Sequence, residues 1–207
     1  MNELPKEVKD RLISTNIKAK LIYMLKTTIN LFEKNNIKYW AEGGTLLGAI
    51  RHKNFIPWDD DVDIGVLDSD NLEGVLKKLP SGLKYVPTFF GYKVCLRTGG
   101  KKLYKRGHLQ KFTYPGLDIF IREIEGNKLK FKLPKAAEVW EKEHVSPDIF
   151  FPLKTYKFGS LNIKGANKAE QYLDKLYGKK WKTTGVISFN HSTERWLKKP
   201  IIFKLPK

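Results

Sequence analysis

The chain has 207 residues, 41% hydrophobic and 13% aromatic, with 39 Lys and Arg against 22 Asp and Glu and a net charge of +17. That composition supplies the core of one folded domain and excludes an intrinsically disordered chain. The single cysteine, Cys95, excludes an internal disulfide and a multi-cysteine zinc site.

The charge favours polyanionic partners, whether nucleic acid, anionic lipid, or a phosphorylated glycan or nucleotide, and does not choose among them. Residues 1–12 hold no apolar segment of the leader type, which predicts no secretory signal and a cytoplasmic location. No stretch approaches the roughly 20 apolar residues needed to cross a bilayer, so any membrane contact is expected to be peripheral.

Residues 5–34 read as a helix, because Ile17, Leu21, Leu25, Ile29 and Phe32 recur at helical spacing. Ile37 to Ala41 is a short apolar strand broken by Gly43-Gly44, and Thr45 is placed to cap a helix over Leu46–Arg51. Val62–Leu67 reads as a strand. A helix carrying Leu72, Val75, Leu76 and Leu79 follows, with Ser69 or Asp70 as its cap. Segments 83–90, 92–97, 109–113, 117–121 and 128–133 read as strands, and 135–144 and 167–177 as helices, the second stopped by Gly178. This order predicts an α+β fold in which a mixed β-sheet is flanked by helices, with a strand-rich middle and a helical end.

Asp59, Asp60, Asp61 and Asp63 place four acids within five positions of a basic chain. Carboxylates that close repel one another unless a cation neutralises them. If the segment enters the strand at Val62, Asp61 and Asp63 share one face while Val62 and Ile64 enter the core. Paired carboxylates with no soft ligand nearby suit Mg²⁺ or Mn²⁺. The same residues also fit a solvated acidic turn, against which stands the apolar run they lead into.

Gly43, Gly44, Thr45 and Arg51 form a strand–turn–helix start of the kind that holds phosphate. Glycine lets the backbone approach a ligand, and a helix start offers free N–H groups. A plain turn would use the same residues. Asp118 lies alone in the apolar run Leu117–Ile121. It reads as a third metal ligand, as the group that takes the proton of an attacking hydroxyl, or as a strand residue facing solvent.

These residues resemble the LicD-type family, which includes phosphocholine transferases and the fukutin-related proteins. The resemblance rests on Gly43-Gly44-Thr45-Leu46-Leu47-Gly48, Arg51, the run from Phe55 to Ile64, and Leu117-Asp118-Ile119-Phe120. Phe151-Pro152-Leu153, Phe158-Gly159 and the stretch Tyr172–Trp181 add to it, so that it spans roughly residues 20 to 182. The resemblance implies a nucleotidyltransferase fold, Mg²⁺ or Mn²⁺ held by Asp61, Asp63 and Asp118, and a CDP-linked donor of choline, ribitol or glycerol type. It implies transfer of the substituted phosphate to a glycan or polyol hydroxyl with release of CMP. Two other readings stay open: transfer of a nucleoside monophosphate from an NTP with release of pyrophosphate, and non-catalytic binding of a polyanion. Nucleic acid is the less expected partner, since a polyanion binder has no use for clustered acids. Gly165-Ala166-Asn167 departs from the family pattern, and the cysteine zinc module of larger relatives is missing.

Other groups carry weaker signals. His52, His108, His144 and His191 are scattered with no i,i+4 pair. Trp58 suits either base stacking or packing beside Pro57. Segment 97–111 holds six Lys and Arg and no acid, as a solvated hairpin or an anion-binding one would. The expected division is a catalytic domain over 1–194 and a basic, apolar-rich tail over 195–207. That tail either packs back through Ile201, Ile202 and Phe203 or contacts anionic membrane.

Overall fold

The computed structural model describes residues 3–68, 71–105 and 108–206. The helix expected over 5–34 is two, α1 (Lys6–Lys9) and α2 (Thr15–Lys34). Ser14 causes the break. Its hydroxyl accepts from Ile17 N–H at 3.3 Å and caps α2, while Ile13 N–H turns away to the Pro57 carbonyl at 2.8 Å. α2 buries Leu21, Met24, Leu25, Ile29 and Phe32, and each such side chain stabilises by about 1.5–3 kcal/mol.

Strand β1 (Tyr39–Ala41) leads into α3 (Gly43–Arg51), which begins at the Gly-Gly pair itself rather than after it. Then come β2 (Val62–Leu67) and the five-residue α4 (Leu72–Leu76); the expected cap at Ser69 or Asp70 lies outside the described residues. Next are β3 (Leu83–Thr88), β4 (Gly91–Leu96), β5 (Lys101–Lys105), β6 (His108–Tyr114), β7 (Gly116–Glu125) and β8 (Lys128–Phe131).

The main sheet runs β1-β2-β7-β4-β3, with β8 also on β7. Among the described residues of this sheet, only the β2–β7 pairing is parallel. Its register sets Asp63 opposite Asp118, and the neighbouring β4–β7 register sets Lys93 opposite Asp118. Residues directly opposite in a sheet share a face, so Lys93, Asp118 and Asp63 form a row across three strands. Val62, Ile64, Leu117 and Ile119, at most 1% exposed, alternate with the row and join the core that includes α2.

The remainder comprises α5 (Pro134–Val139), α6 (Pro147–Phe150), β9 (Lys154–Phe158), β10 (Leu161–Gly165) and α7 (Ala169–Tyr177), a 3₁₀ turn over Lys179–Lys182, then β11 (Thr184–Asn190) and β12 (Arg195–Lys204). The helix expected over 135–144 stops early, and the helical end expected for the chain is instead a hairpin of β11 and β12. Pro200 is compatible with a strand at the edge of a two-stranded sheet, where a missing N–H costs no ladder bond. Phe203 is 7% exposed and lies edge-on to Trp58 with ring centres 4.8 Å apart. Gly185 makes room for it, since a Cβ there would come within 2.3 Å of the Phe203 ring. Among the described residues no helix is long and apolar enough to cross a membrane.

Candidate active site

The row of Lys93, Asp118 and Asp63 is the base of the site. Lys93 Nζ lies 2.7 Å from Asp118 Oδ1, and both side chains are close to fully buried. Asp61 joins from the residue before β2. Asp61, Asp63 and Asp118 each offer a carboxylate oxygen within 4.8 Å of the other two. The structure therefore brings together the three acids singled out in the sequence, and adds a lysine that the sequence reading missed.

A second missed group is His191, delivered by the turn between β11 and β12. Its Nδ1 is 2.7 Å from Asp60 Oδ1, and its Nε2 is 2.8 Å from Asp61 Oδ2. Tyr114 donates its hydroxyl to the other Asp60 oxygen at 2.5 Å. Asp59, Asp61 and His191 form a second group of mutually close potential ligands.

The electrostatics follow from burial and crowding. Burial lifts the Asp63 carboxyl well above its usual range, and the neighbouring Asp61 and Asp118 lift it further. Asp59 is raised the same way, by burial first and Asp61 second. Asp118 is raised by burial against the opposing pull of Lys93. Burial works against Asp61 too, but the His191 imidazolium outweighs it and holds Asp61 ionised. His191 is correspondingly raised: burial disfavours its charge, and Asp61 and Asp60 overcome that penalty. A divalent cation among Asp61, Asp63 and Asp118 removes the penalty on the raised acids. An all-oxygen, carboxylate-rich donor set fits Mg²⁺ or Mn²⁺.

The glycine turn is pressed against these acids. A Cβ on Gly44 would sit 2.4 Å from Asp59 Oδ2, so a larger residue at the start of α3 would displace that carboxylate. Gly43 has φ +45° and donates its N–H to Tyr172 at 3.4 Å. Thr45 is 5% exposed, and its hydroxyl oxygen accepts from Asp63 N–H at 2.8 Å. It pins β2 to α3 rather than standing open to a ligand. Arg51 lines the cavity, with Nη1 on the carbonyls of Trp181 and Thr184 at 2.5 and 3.2 Å and Nε on His52 at 2.9 Å. Burial lowers its pKa to about 10, and the same burial, with Arg51 beside it, lowers His52 to about 4. Trp58 is buried against Phe203 and still presents an edge to the cavity.

That cavity has a volume of ≈ 520 Å³. Gly44, Arg51, Asp59, Asp61 and Asp63 line one side. The lining is completed by residues of the C-terminal part of the chain, among them Tyr177, Lys180, Trp181, Phe189, His191 and Trp196.

A mixed sheet carrying a carboxylate row beside a glycine-led helix start is the architecture of a nucleotidyltransferase-type domain. The family model for the LicD/FKTN/FKRP nucleotidyltransferase domain matches residues 36–168, and the chain belongs to that family of phosphate-group transferases. An uncharacterized protein of Rickettsia prowazekii is 33% identical over 189 residues, covering 90% of this chain and 64% of the relative. One of Rickettsia typhi is 32% identical over 191 residues, covering 90% of this chain and 54% of the relative. The chain thus spans a little over half of these relatives' length. The lipopolysaccharide cholinephosphotransferase LicD of Haemophilus influenzae is 65% identical over 34 residues, 16% of this chain and 13% of that protein. Among solved structures, lincomycin-bound lincosamide adenylyltransferase LnuA superposes with a TM-score of 0.43 at 16% identity, over 78% of this chain and 85% of that one.

Proposed function

We propose that the chain moves a substituted phosphate, of the phosphocholine, ribitol phosphate or glycerol phosphate type, from a CDP-linked donor to a hydroxyl of a glycan or polyol. The observation that carries this reading is the convergence of Asp61, Asp63 and Asp118 within 4.8 Å of one another, with Asp63 against Gly43 and with Asp61 and Asp63 lining the same cavity as Gly44. Phosphoryl transfer asks a protein chiefly for positioning and charge stabilisation, and that is what these residues offer.

Gly43 and Gly44 admit the donor's diphosphate to the start of α3, with Arg51 as the cation on that side. Mg²⁺ or Mn²⁺ held by Asp61, Asp63 and Asp118 supplies neutralisation of the diphosphate and of the leaving group. Asp118 orients the acceptor hydroxyl and takes its proton. The acceptor oxygen bonds to the phosphorus of the substituted phosphate as the bond to the bridging oxygen breaks. CMP departs with that electron pair. Lys93 holds Asp118 in place and balances the charge beneath the reacting atoms. The basic residues of β12 suit a peripheral approach to an anionic surface where the acceptor resides.

The test is incubation with CDP-choline, CDP-ribitol and CDP-glycerol, Mn²⁺ and a glycan panel, with mass detection of CMP and of the modified glycan. Pyrophosphate release from an NTP without CMP release from any CDP-alcohol would replace this reading with nucleotidyl transfer.

A further inference from the structure

The cavity joins two chemistries, and only one of them is explained by phosphate transfer. The acid side, Gly44, Arg51, Asp59, Asp61 and Asp63, falls within the family match over 36–168. The hairpin wall, completed by residues of α7 and the 3₁₀ turn, lies wholly beyond residue 168. It is aromatic, with Tyr177, Trp181, Phe189 and Trp196 in its lining. Trp196 is 74% exposed, yet it is held on a strand ladder opposite Phe189, with ring centres 5.1 Å apart. Further along the hairpin, Val186 and Ile202 are paired across the strands and are 52% and 67% exposed. A solvent-facing indole supported by the Phe189 ring is a platform for the flat face of a ligand ring.

The platform is also basic. β12 carries Arg195, Lys198, Lys199 and Lys204 and no acid, and Lys180 lines the cavity itself.

We propose that this hairpin wall is the acceptor subsite, that it takes an anionic saccharide, and that one sugar ring stacks on Trp196. The proposal rests on the phosphotransferase reading above and deepens it. A group transfer needs two substrates, and the acid side with the helix start accounts for the diphosphate donor. The open, solvent-facing end leaves room for a chain longer than one unit, whereas a nucleoside is a single unit that an enclosed slot holds better. The positive charge of β12 complements carboxylate or phosphate substituents on such a chain.

The test uses ¹⁵N-indole NMR of the full chain, with the Trp196 signal assigned by its loss in Trp196→Phe. The probes are tetragalacturonate, neutral maltotetraose and CMP. The expected result is a shift of the Trp196 signal with tetragalacturonate, an affinity at least fivefold weaker for maltotetraose, and no shift with CMP. A Trp196 shift with CMP alone would make the wall a nucleoside site and overturn the proposal. So would the absence of a shift with both saccharides. In turnover, Trp196→Ala is expected to raise the acceptor KM at least tenfold and the donor KM less than twofold; the opposite split overturns the proposal. These binding results stand independently of turnover. If no CDP-alcohol yields CMP, the phosphotransferase reading fails while the NMR titration still decides the saccharide site.

Discussion

The ion pair between Glu42 and Arg122 sits directly behind the glycine turn, and removing one partner tests how much it holds. Both residues are at most 3% exposed. Arg122 meets the carboxylate with two N–H groups, Nε at 2.9 Å and Nη2 at 2.6 Å. Trp40 Nε1–H adds a third donor at 2.9 Å, and the guanidinium lies 3.4 Å from the Phe131 ring centre. Glu42 also starts α3 through its carbonyl, which accepts from Leu46 N–H at 3.0 Å, and its own N–H reaches the Asp63 carbonyl at 3.0 Å. Arg122→Met leaves a buried carboxylate with its cation gone. Stripping one partner from a buried pair costs about 3–5 kcal/mol. For a chain of this size each kcal/mol lowers Tm by about 2–4 °C, so a fall of roughly 6–20 °C is expected. Adding Glu42→Gln to Arg122→Met removes the stranded charge and is expected to recover more than half of that loss. Urea unfolding followed by circular dichroism, with differential scanning fluorimetry for Tm, measures both steps. A loss below about 1 kcal/mol in Arg122→Met, or a double variant as unstable as the sum of the two singles, would refute the reasoning.

Three further outcomes are expected. Mn²⁺ at a hundredfold excess over its Kd stabilises the wild-type chain by about 2.7 kcal/mol. Asp61→Asn and Asp63→Asn abolish most of that gain, and calorimetric titration shows the lost binding; equal Mn²⁺ stabilisation in both variants would dismantle the metal assignment. Phe203→Ala uncovers Trp58 and costs about 3–5 kcal/mol by urea unfolding, and ending the chain at Glu194 acts in the same direction; unchanged unfolding in both would show that β12 contributes no packing. Glu143 is lifted by burial from 4.5 to about 7, against the pull of Arg122. The folded chain therefore keeps a proton that the unfolded chain releases, and this contribution to stability fades as pH rises between those two values. Glu143→Gln is expected to flatten the unfolding free energy across that window, and a profile parallel to wild type would contradict it.

Much of the site was legible because local patterns carry it. Four acids leading into an alternating strand can satisfy both the core and a cation in only a few ways, and Asp118 was visible as one acid inside an apolar run. Lys93 showed the mirror-image signal, one cation beside Val94, Cys95 and Leu96. It escaped notice because an isolated lysine in a strand normally faces water. What pairs it with Asp118 is the strand register, which no local pattern reports. His191 was harder still. It lies in a polar turn of Asn190, His191 and Ser192, and only the fold of the last hairpin brings it to Asp60 and Asp61. Thr45 was expected to cap a helix over Leu46–Arg51, but Glu42 holds the cap position and Thr45 lies within the first turn of α3; its hydroxyl oxygen serves the Asp63 backbone, a partner 18 residues away. The break at Ser14 was missed because the apolar spacing beyond it masked a capping residue.

The parallel pairing of β2 with β7 has a consequence for how the protein is made. Asp118 follows Asp63 by 55 residues, and the whole of β3 to β6 is synthesised between them. At translation speeds of about 5–20 residues per second, β2 waits roughly 3–11 s for its inner neighbour. During that interval Val62, Ile64 and Val66 belong to a strand with one open edge, the kind of surface that pairs with the wrong chain. The repulsion among Asp59, Asp60, Asp61 and Asp63 sits at the beginning of that edge, and in the nascent chain it discourages a second copy of the same segment from aligning alongside. The acids that crowd the finished site thereby act as guardians of the unfinished one.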